Sequence, residues 1–199
     1  ARRGNERWQV RPQGFTTITG GVLGKGKIWM NGLLLALFLL LGHHFLVVNT
    51  AVVKLKATTD NRTLFRIYYK DAASNWTAEK VAKVMIQPDR TSYSLRLTDI
   101  RKVSELRIDT SEKPATVTVQ SLIVEQHGYQ PLQIDTKHEF RKLRPGGGIA
   151  DFTIDQNGFT VTPSTQDPQL FLTLGELQKI DTRRQDVFRV LTIVLLSLA

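Results

Sequence analysis

Few side chains in this sequence are of the types that carry out chemistry. The 199 residues include four histidines and no cysteine, which excludes disulfides, thiolate metal ligands and a cysteine nucleophile. The chain has no glycine-rich phosphate loop, no His-Glu-x-x-His and no Gly-x-Ser-x-Gly. Its carboxylates are numerous, but no spacing pairs two of them as the acid and the nucleophile of a glycosidase. We therefore predict no catalytic site, no metal site and no cofactor within this segment.

The aromatic side chains are candidates for binding a sugar. Trp76 lies in the polar segment DAASNWTAEK, between two segments of alternating polarity, and an indole ring there offers a flat surface to a sugar. The alternative is that Trp76 closes the edge of a hydrophobic core. Tyr68 and Tyr129 are weaker candidates for the same ligand-binding role.

His43 and His44 are polar residues within a long apolar segment. Polar side chains at membrane depth face other protein or water, so their functional interpretations are cofactor ligation or contact with a lipid head group. Neighbouring positions on a helix point about 100° apart, so the two rings cannot aim at one site. The alternative is two neutral imidazoles packed against neighbouring helices. We predict that both histidines, together with Trp29 at the membrane interface, contact the membrane or a partner.

A basic run occurs late in the chain. Residues 137–144 read KHEFRKLR, with four cations and one Glu, and a Pro-Gly-Gly-Gly segment follows. Arg141, Lys142 and Arg144 are candidate contacts to anionic lipid or to a phosphate-linked glycan, and each basic side chain near such a surface contributes about 1 kcal/mol. The alternative is an ordinary solvated loop.

The element that positions the two adjacent histidines is an apolar segment. Residues 28–48 contain no formally charged side chain and, at about 1.5 Å of rise per residue, are long enough to cross a bilayer core of about 30 Å. The first 30 residues carry six Lys and Arg against one Glu, whereas the other 169 carry 21 against 17. By the positive-inside rule we predict a cytoplasmic segment at 1–27 and a transmembrane helix at 28–48. The same uneven distribution argues against nucleic acid as a partner.

The last ten residues form a second apolar run. Residues 190–199 read VLTIVLLSLA, which is too short to cross a bilayer. We predict that a second transmembrane helix begins near residue 187 and is truncated at residue 199. One crossing then places residues 50–178 outside the cytoplasm, with both of their ends tethered to the same membrane face.

The segment between the two apolar runs alternates with a period of two. Val53, Leu55 and Ala57 alternate with lysines and a threonine, and similar runs occur at 65–70, 91–97, 103–109, 115–126, 149–155, 158–163 and 169–174. This periodicity predicts half-buried strands, and Asn157-Gly158 predicts a hairpin with a type I′ turn. About nine short strands at a spacing near ten residues favour an antiparallel β-sandwich over a βαβ fold.

The order of these segments resembles a known kind of domain. The motifs are Leu106-Arg107-Ile108-Asp109, the strand from Thr116 to Val124, and Asp167-Pro168-Gln169 before a late strand. Over residues 50–175 they resemble the jelly-roll-like β-sandwich domains attached to membrane helices in bacterial cell-envelope polysaccharide glycosyltransferases and related polytopic membrane proteins. The resemblance implies a mainly β fold with galactose-binding-like topology, flanked by transmembrane α-helices. It transfers no catalytic residues, so any glycosyl transfer would be carried out by other parts of such a protein.

The sequence therefore leads to one expected function and one alternative. We expect a non-catalytic binding or scaffolding domain of a larger protein that acts on cell-envelope glycans. It is anchored in the bacterial inner (cytoplasmic) membrane, with the main domain periplasmic or extracellular and the N-terminus cytoplasmic. The expected partners are the lipid bilayer, other membrane helices or subunits, and a glycan. The alternative is an accessory subunit of an unrelated integral-membrane complex, in which the sandwich clamps a partner's extramembrane surface.

Overall fold

The predicted apolar helix is present. The computed structural model describes residues 22–198, and side chains from residue 29 to residue 197. Helix α1 (Val22–His43) continues through one π-helical turn, His44–Val48, directly into the first strand. In this part of the chain, Trp29–Val48 is the one helical segment long and apolar enough to cross a membrane, by length and composition. Most of the predicted cytoplasmic segment 1–27 lies outside the described residues, and its location stays a prediction.

The middle of the chain forms two antiparallel sheets within the described residues. In spatial order, the first sheet contains β4 (Ser92–Thr98), β1 (Thr50–Thr59), β6 (Val117–Gln126), β10 (Phe159–Pro163) and β9 (Ile149–Ile154), with β7 (Leu132–Ile134) paired to β6. The second contains β3 (Val81–Ile86), β2 (Thr63–Asp71), β5 (Val103–Asp109), β11 (Gln169–Thr173) and β8 (Arg144–Pro145). A short helix, α2 (Lys137–Phe140), precedes β8. The mainly β prediction is confirmed, and the jelly-roll-like strand order stays a prediction.

Alternating side chains give the two sheets one shared core. In β1 the side chains of Val53, Leu55 and Ala57 are buried, whereas Lys54 and Lys56 are exposed. The buried residues of β2, β5 and β11 belong to the same hydrophobic cluster as those of β1 and β6. Since successive side chains of a strand point to opposite faces, every second residue of each sheet is left on an outer surface.

The alternation of apolar and polar residues in the sequence did not identify every strand. The segment VAKVMI forms β3, although only Ala82 and Ile86 in it are buried and its polarity does not alternate strictly. Strands β7 and β8 have three and two residues, too few for a period to be recognised.

The hairpin between β9 and β10 was predicted, but its turn type was wrong. A type I′ turn needs positive φ at both central residues, and no non-glycine residue of the described chain has positive φ, so Asn157 does not fit. Instead, Asp155 N–H donates to the carbonyl of Gly158 at 3.0 Å, and the Asp155 carboxylate accepts from Asn157 N–H. Gly158 has φ +153°, and a Cβ there would overlap the backbone carbonyl of Val119 on β6. Glycine is therefore required by the close approach of two strands.

A second long helix packs along the first. Helix α3 (Arg183–Leu198) begins four residues before the predicted start of the second span and contacts α1. With 16 residues it is shorter than a bilayer crossing needs, so the second span stays a prediction. Among the described side chains of α1, Gly32 and Ala36 are the two buried positions, four residues apart on one face. Small residues at such positions let two helix backbones approach closely.

Replacing Ala36 with Phe is expected to separate α1 from α3, because a large side chain at the contact prevents close packing. The chain has no native cysteine, so spin labels can be placed at the exposed Leu34 and Leu191. Pulsed EPR should show their separation increase by about 2 Å or more, against a usual interaxial distance of about 8–10 Å. Leu35→Phe, at the exposed neighbouring position, is the matched control. Equal distances in the two variants would contradict this packing.

Candidate functional site

A row of aromatic and cationic side chains crosses the outer face of the second sheet. The strand register places Tyr68 of β2 opposite Arg107 of β5, Arg107 opposite Phe171 of β11, and Phe171 opposite Arg144 of β8. The guanidinium carbon of Arg107 lies 4.1 Å from the centre of the Tyr68 ring, a cation–π distance. The register alone therefore assembles four side chains from residues up to 103 positions apart into one surface.

Trp76 extends over this row from the loop between β2 and β3. Its half-buried ring lies 6.0 Å from the Phe171 ring, tilted by 50°, and Lys70 Nζ lies 4.9 Å from the indole centre. The Arg107 guanidinium is 5.9 Å away. Trp76 is not part of the buried core cluster. We name the surface formed by Tyr68, Trp76, Arg107 and Phe171 the aromatic platform.

A buried carboxylate holds Arg107 in place. Arg107 donates through Nε and Nη2 to the two carboxylate oxygens of Asp109, at 2.9 and 2.8 Å, while the Asp109 side chain is fully buried. Burial raises the pKa of Asp109 to about 6, and the Arg107 charge opposes that rise. Since this carboxyl group has no exposed surface, it positions Arg107 and cannot reach a substrate as a catalytic acid.

A second carboxylate is shared by two other cations beside the platform. Glu105 accepts from Lys70 at 3.0 Å and from Arg144 at 2.6 Å. Gly146 then lets the loop after β8 lie against Phe171, because a Cβ at this position would be 2.5 Å from the ring. The result is a surface with flat rings, fixed hydrogen-bond donors and paired charges. Such a surface can bind a polar ligand that has an apolar face, but it offers no nucleophile–base pair.

A different cluster lies where the helices meet the sheets. His127, directly after β6, forms a 2.7 Å contact through Nε2 with the carboxylate of Asp186 on α3, which also accepts from Thr182. The His43 ring at the end of α1 packs edge-on against the His127 ring, with centroids 6.2 Å apart. No group of three or more potential metal ligands occurs among residues 22–198. This cluster links α1, α3 and the β domain at one point.

Beside it, a buried amide fixes the connection between helix and strand. Gln126 donates through Nε2 to the carbonyl of Val48 and to the Asp99 carboxylate, at 3.1 and 2.8 Å. Its Oε1 accepts from Ile100 N–H at 2.9 Å. Arg101 in turn donates to Asn49 and to Asp99. The first residues after α1 are therefore held by side chains from the β4–β5 turn and from β6.

The predicted site residues separate into different regions. Trp76 and Tyr68 share the aromatic platform, whereas Tyr129 lies at the helix-proximal end and its backbone bridges to Lys179. His43 faces inward to His127, whereas His44 is exposed and stacks edge-on with Phe45, as expected for neighbouring helix positions.

The remaining predicted contacts are surface residues. Trp29 is exposed on α1, and Arg141 is exposed after α2. Lys142 pairs with Glu139, and Arg144 lies beside the platform on Glu105. The role of these four residues in contacting membrane or partner stays a prediction.

The sequence does not identify several residues of these sites. They are Arg107 and Phe171 of the platform, and Gln126, His127 and Asp186 beside the helices. An available signal was that Arg107 and Asp109 occupy outward positions of an alternating strand, where opposite charges two residues apart form a pair. For Gln126 and Asp186 the partners are 78 and 59 residues away, and no local pattern identifies them.

Comparison with known proteins adds no further assignment. No protein family, curated protein or solved structure matches the chain. The resemblance of residues 50–175 to membrane-attached jelly-roll-like domains therefore stays a prediction, and the function has to be argued from the geometry.

The free energy of unfolding should depend on pH through Asp109. The folded chain holds this proton with a pKa of about 6, above the ordinary 3.8, so it carries more protons than the unfolded chain between these values. Stability due to this group is therefore highest below about pH 4 and is lost as the pH rises through about 6. Between pH 4 and pH 7 the free energy of unfolding should fall by about 1–3 kcal/mol less in Asp109→Asn than in the wild type. Urea unfolding of both proteins across this pH range measures the difference. If the free energies of unfolding of the wild type and of Asp109→Asn changed equally with pH, the raised pKa of Asp109 would be contradicted.

Gln126→Leu should destabilise the β domain by about 2–4 kcal/mol. The change leaves the Val48 carbonyl and Ile100 N–H without their side-chain partner, and each buried unsatisfied group costs about 1–3 kcal/mol. Urea unfolding in detergent measures the loss. Gln130→Leu, at an exposed position four residues later, is the control and should change stability by less than about 0.5 kcal/mol. A neutral Gln126→Leu would show that the amide does not hold the connection.

Proposed function

We propose that the chain is a non-catalytic, membrane-anchored domain that binds glycan in a larger protein of the bacterial cell envelope. The observation that carries this proposal is the aromatic platform. Trp76 and Phe171 supply apolar ring surface, and Arg107 supplies guanidinium N–H groups beside Trp76. A sugar ring has an apolar face and a hydroxyl rim, and this combination matches such a ligand.

The charge around the platform supports a neutral or weakly charged sugar. Arg107 is paired with Asp109, and Lys70 and Arg144 share Glu105. Because every cation in this group has a carboxylate partner, the surface carries little excess charge to attract a polyanion. Glycan recognition here rests on ring stacking and hydrogen bonds.

Helix α1 supports the membrane anchoring. It is long and apolar enough to cross a bilayer and continues into β1 without a linker. With the basic N-terminal segment in the cytoplasm, the jelly-roll-like β domain lies on the periplasmic or extracellular face of the inner membrane. A second span beginning in α3 returns the chain to the same membrane.

An apolar cavity favours a second candidate function, an accessory subunit that clamps a membrane partner. A cavity of about 440 Å³ opens at the helix-proximal end of the β domain, lined in part by Leu46, Val47 and Ile180. All three side chains are exposed, so they offer apolar area to a neighbouring subunit.

Trp76→Ala should weaken glycan binding about 3- to 10-fold, because ring stacking contributes about 0.5–1.5 kcal/mol. The full chain in detergent is screened on an array of oligosaccharide fragments of bacterial envelope polysaccharides, and the strongest ligand is then titrated by calorimetry. The thermal midpoint should change little, because Trp76 lies outside the core.

The matched control is Met85→Ala. Met85 is an exposed apolar side chain on β3, opposite Leu64 and four residues along β2 from Tyr68. The Met85→Ala variant should bind the same oligosaccharide with the affinity of the wild type. No binding to any oligosaccharide, or equal affinities of the wild type and Trp76→Ala, would contradict the glycan proposal and favour the accessory subunit.

A further inference from the structure

A cavity of about 350 Å³ lies where both helices meet the β domain. Its wall includes His43 from α1, His127 and Tyr129 from the segment after β6, and Lys179 and Asp186 from the returning chain. Apolar side chains complete it, namely Val48, Ile180 and Val190. The cavity wall therefore contains both polar and apolar groups. It lies at the outer end of a helix that is long and apolar enough to cross a membrane.

One polar atom in this wall has no partner. His43 Nε2 is buried and forms no hydrogen bond with any described residue. A buried polar group without a partner costs about 1–3 kcal/mol, and an apolar residue at this position would avoid that cost. The cost is recovered only when a ligand supplies the missing hydrogen bond.

Lys179 and Asp186 are the charged residues of the cavity wall, and the segment that carries both has more cations than carboxylates. Residues 179–189 contain four cations and two carboxylates. Both carboxylates are engaged, Asp181 by the N–H of Arg183 and Asp186 by His127 and Thr182. Lys179 is exposed and forms no ion pair within residues 29–197. Its ammonium group is therefore available to a ligand in the cavity, whose wall includes both Lys179 and His43.

We propose that this cavity binds the phosphate group of a membrane lipid. His43 Nε2 and Lys179 Nζ donate to the phosphate oxygens, and the apolar wall receives the first part of the acyl chains. The site extends along the outer end of the apolar segment, from His43 to Val48, next to the lipid head groups in the membrane arrangement proposed above. It does not depend on the aromatic platform.

The test uses the full chain in a polyoxyethylene detergent, which contains neither phosphate nor sugar. Four probes are titrated and bound molecules are counted by native mass spectrometry: dioctanoyl phosphatidic acid, dioctanoyl phosphatidylglycerol, dioctanoylglycerol and inorganic phosphate. One molecule of each phospholipid should bind saturably, and dioctanoylglycerol should bind at least about tenfold more weakly because it lacks the phosphate. Inorganic phosphate should also bind more weakly, because it lacks the chains.

His43→Leu is the decisive variant. It should weaken phospholipid binding about tenfold or more, while the thermal midpoint without lipid stays equal or rises, because an unpartnered polar atom has been removed. His44→Leu, at the exposed neighbouring position, is the matched control and should change neither quantity. Lys179→Gln should also weaken binding, and Trp76→Ala should leave it unchanged, which separates this site from the glycan proposal.

Other results would overturn the proposal. Equal binding of dioctanoylglycerol would show that the chains alone are recognised. Inorganic phosphate binding as tightly as the phospholipids would show a site for free phosphate. A lower thermal midpoint of His43→Leu without lipid would assign His43 a structural role, and equal effects of His43→Leu and His44→Leu would remove His43 from the site.

Discussion

The structure depends on how a helix is joined to a strand without a linker. The backbone leaves α1 through a π-helical turn and enters β1 at Thr50, so the carbonyl of Val48 belongs to neither hydrogen-bond pattern. The Gln126 amide donates to this carbonyl and binds the β4–β5 turn with its other atoms. This one amide thus bonds to the Val48 carbonyl and to two groups of the β4–β5 turn. Without it, the Val48 carbonyl and the buried Ile100 N–H would have no side-chain partner. Because these hydrogen bonds hold the join, the orientation of the β domain follows the orientation of the helix.

The aromatic platform depends on the same frame through strand register. A shift of one residue between β2 and β5 would move Tyr68 away from Arg107 and turn the buried Ile67 and Ile108 outward. The core therefore fixes the register, and the register fixes which outward side chains meet. The Arg107–Asp109 pair then holds the guanidinium over the Tyr68 ring. A ligand would meet donors that are already ordered, which reduces the entropy lost on binding.

The sequence was sufficient for most strands because their burial is local. The alternation in residues 103–109 identified β5 within its observed bounds, whereas β3 was missed because its outward residues include apolar Val81 and Met85. Of the platform, Trp76 and Tyr68 were candidates by residue type alone. Their position on one surface depends on how β2 pairs with β5, which the sequence alone does not show. The contact of His127 with Asp186 likewise depends on α3 returning to α1. Contacts between distant segments follow from the complete packing and not from any window of the sequence.

The aromatic platform lies a short distance from the helix-proximal end of the β domain, although it shares no strand with the proposed lipid site. The loop that carries Trp76 leaves β2 at Asp71, which is paired with Val103 at the helix-proximal end of β5. Arg107 lies four residues further along that strand, or about 13 Å at 3.3 Å per residue. On the proposed arrangement, a glycan on the platform is therefore held close to the lipid head groups. A rigid join between α1 and β1 keeps that height constant, whereas a flexible linker would let the platform sample the whole space above the membrane. The proposed geometry thus favours a glycan that is itself attached near the membrane surface.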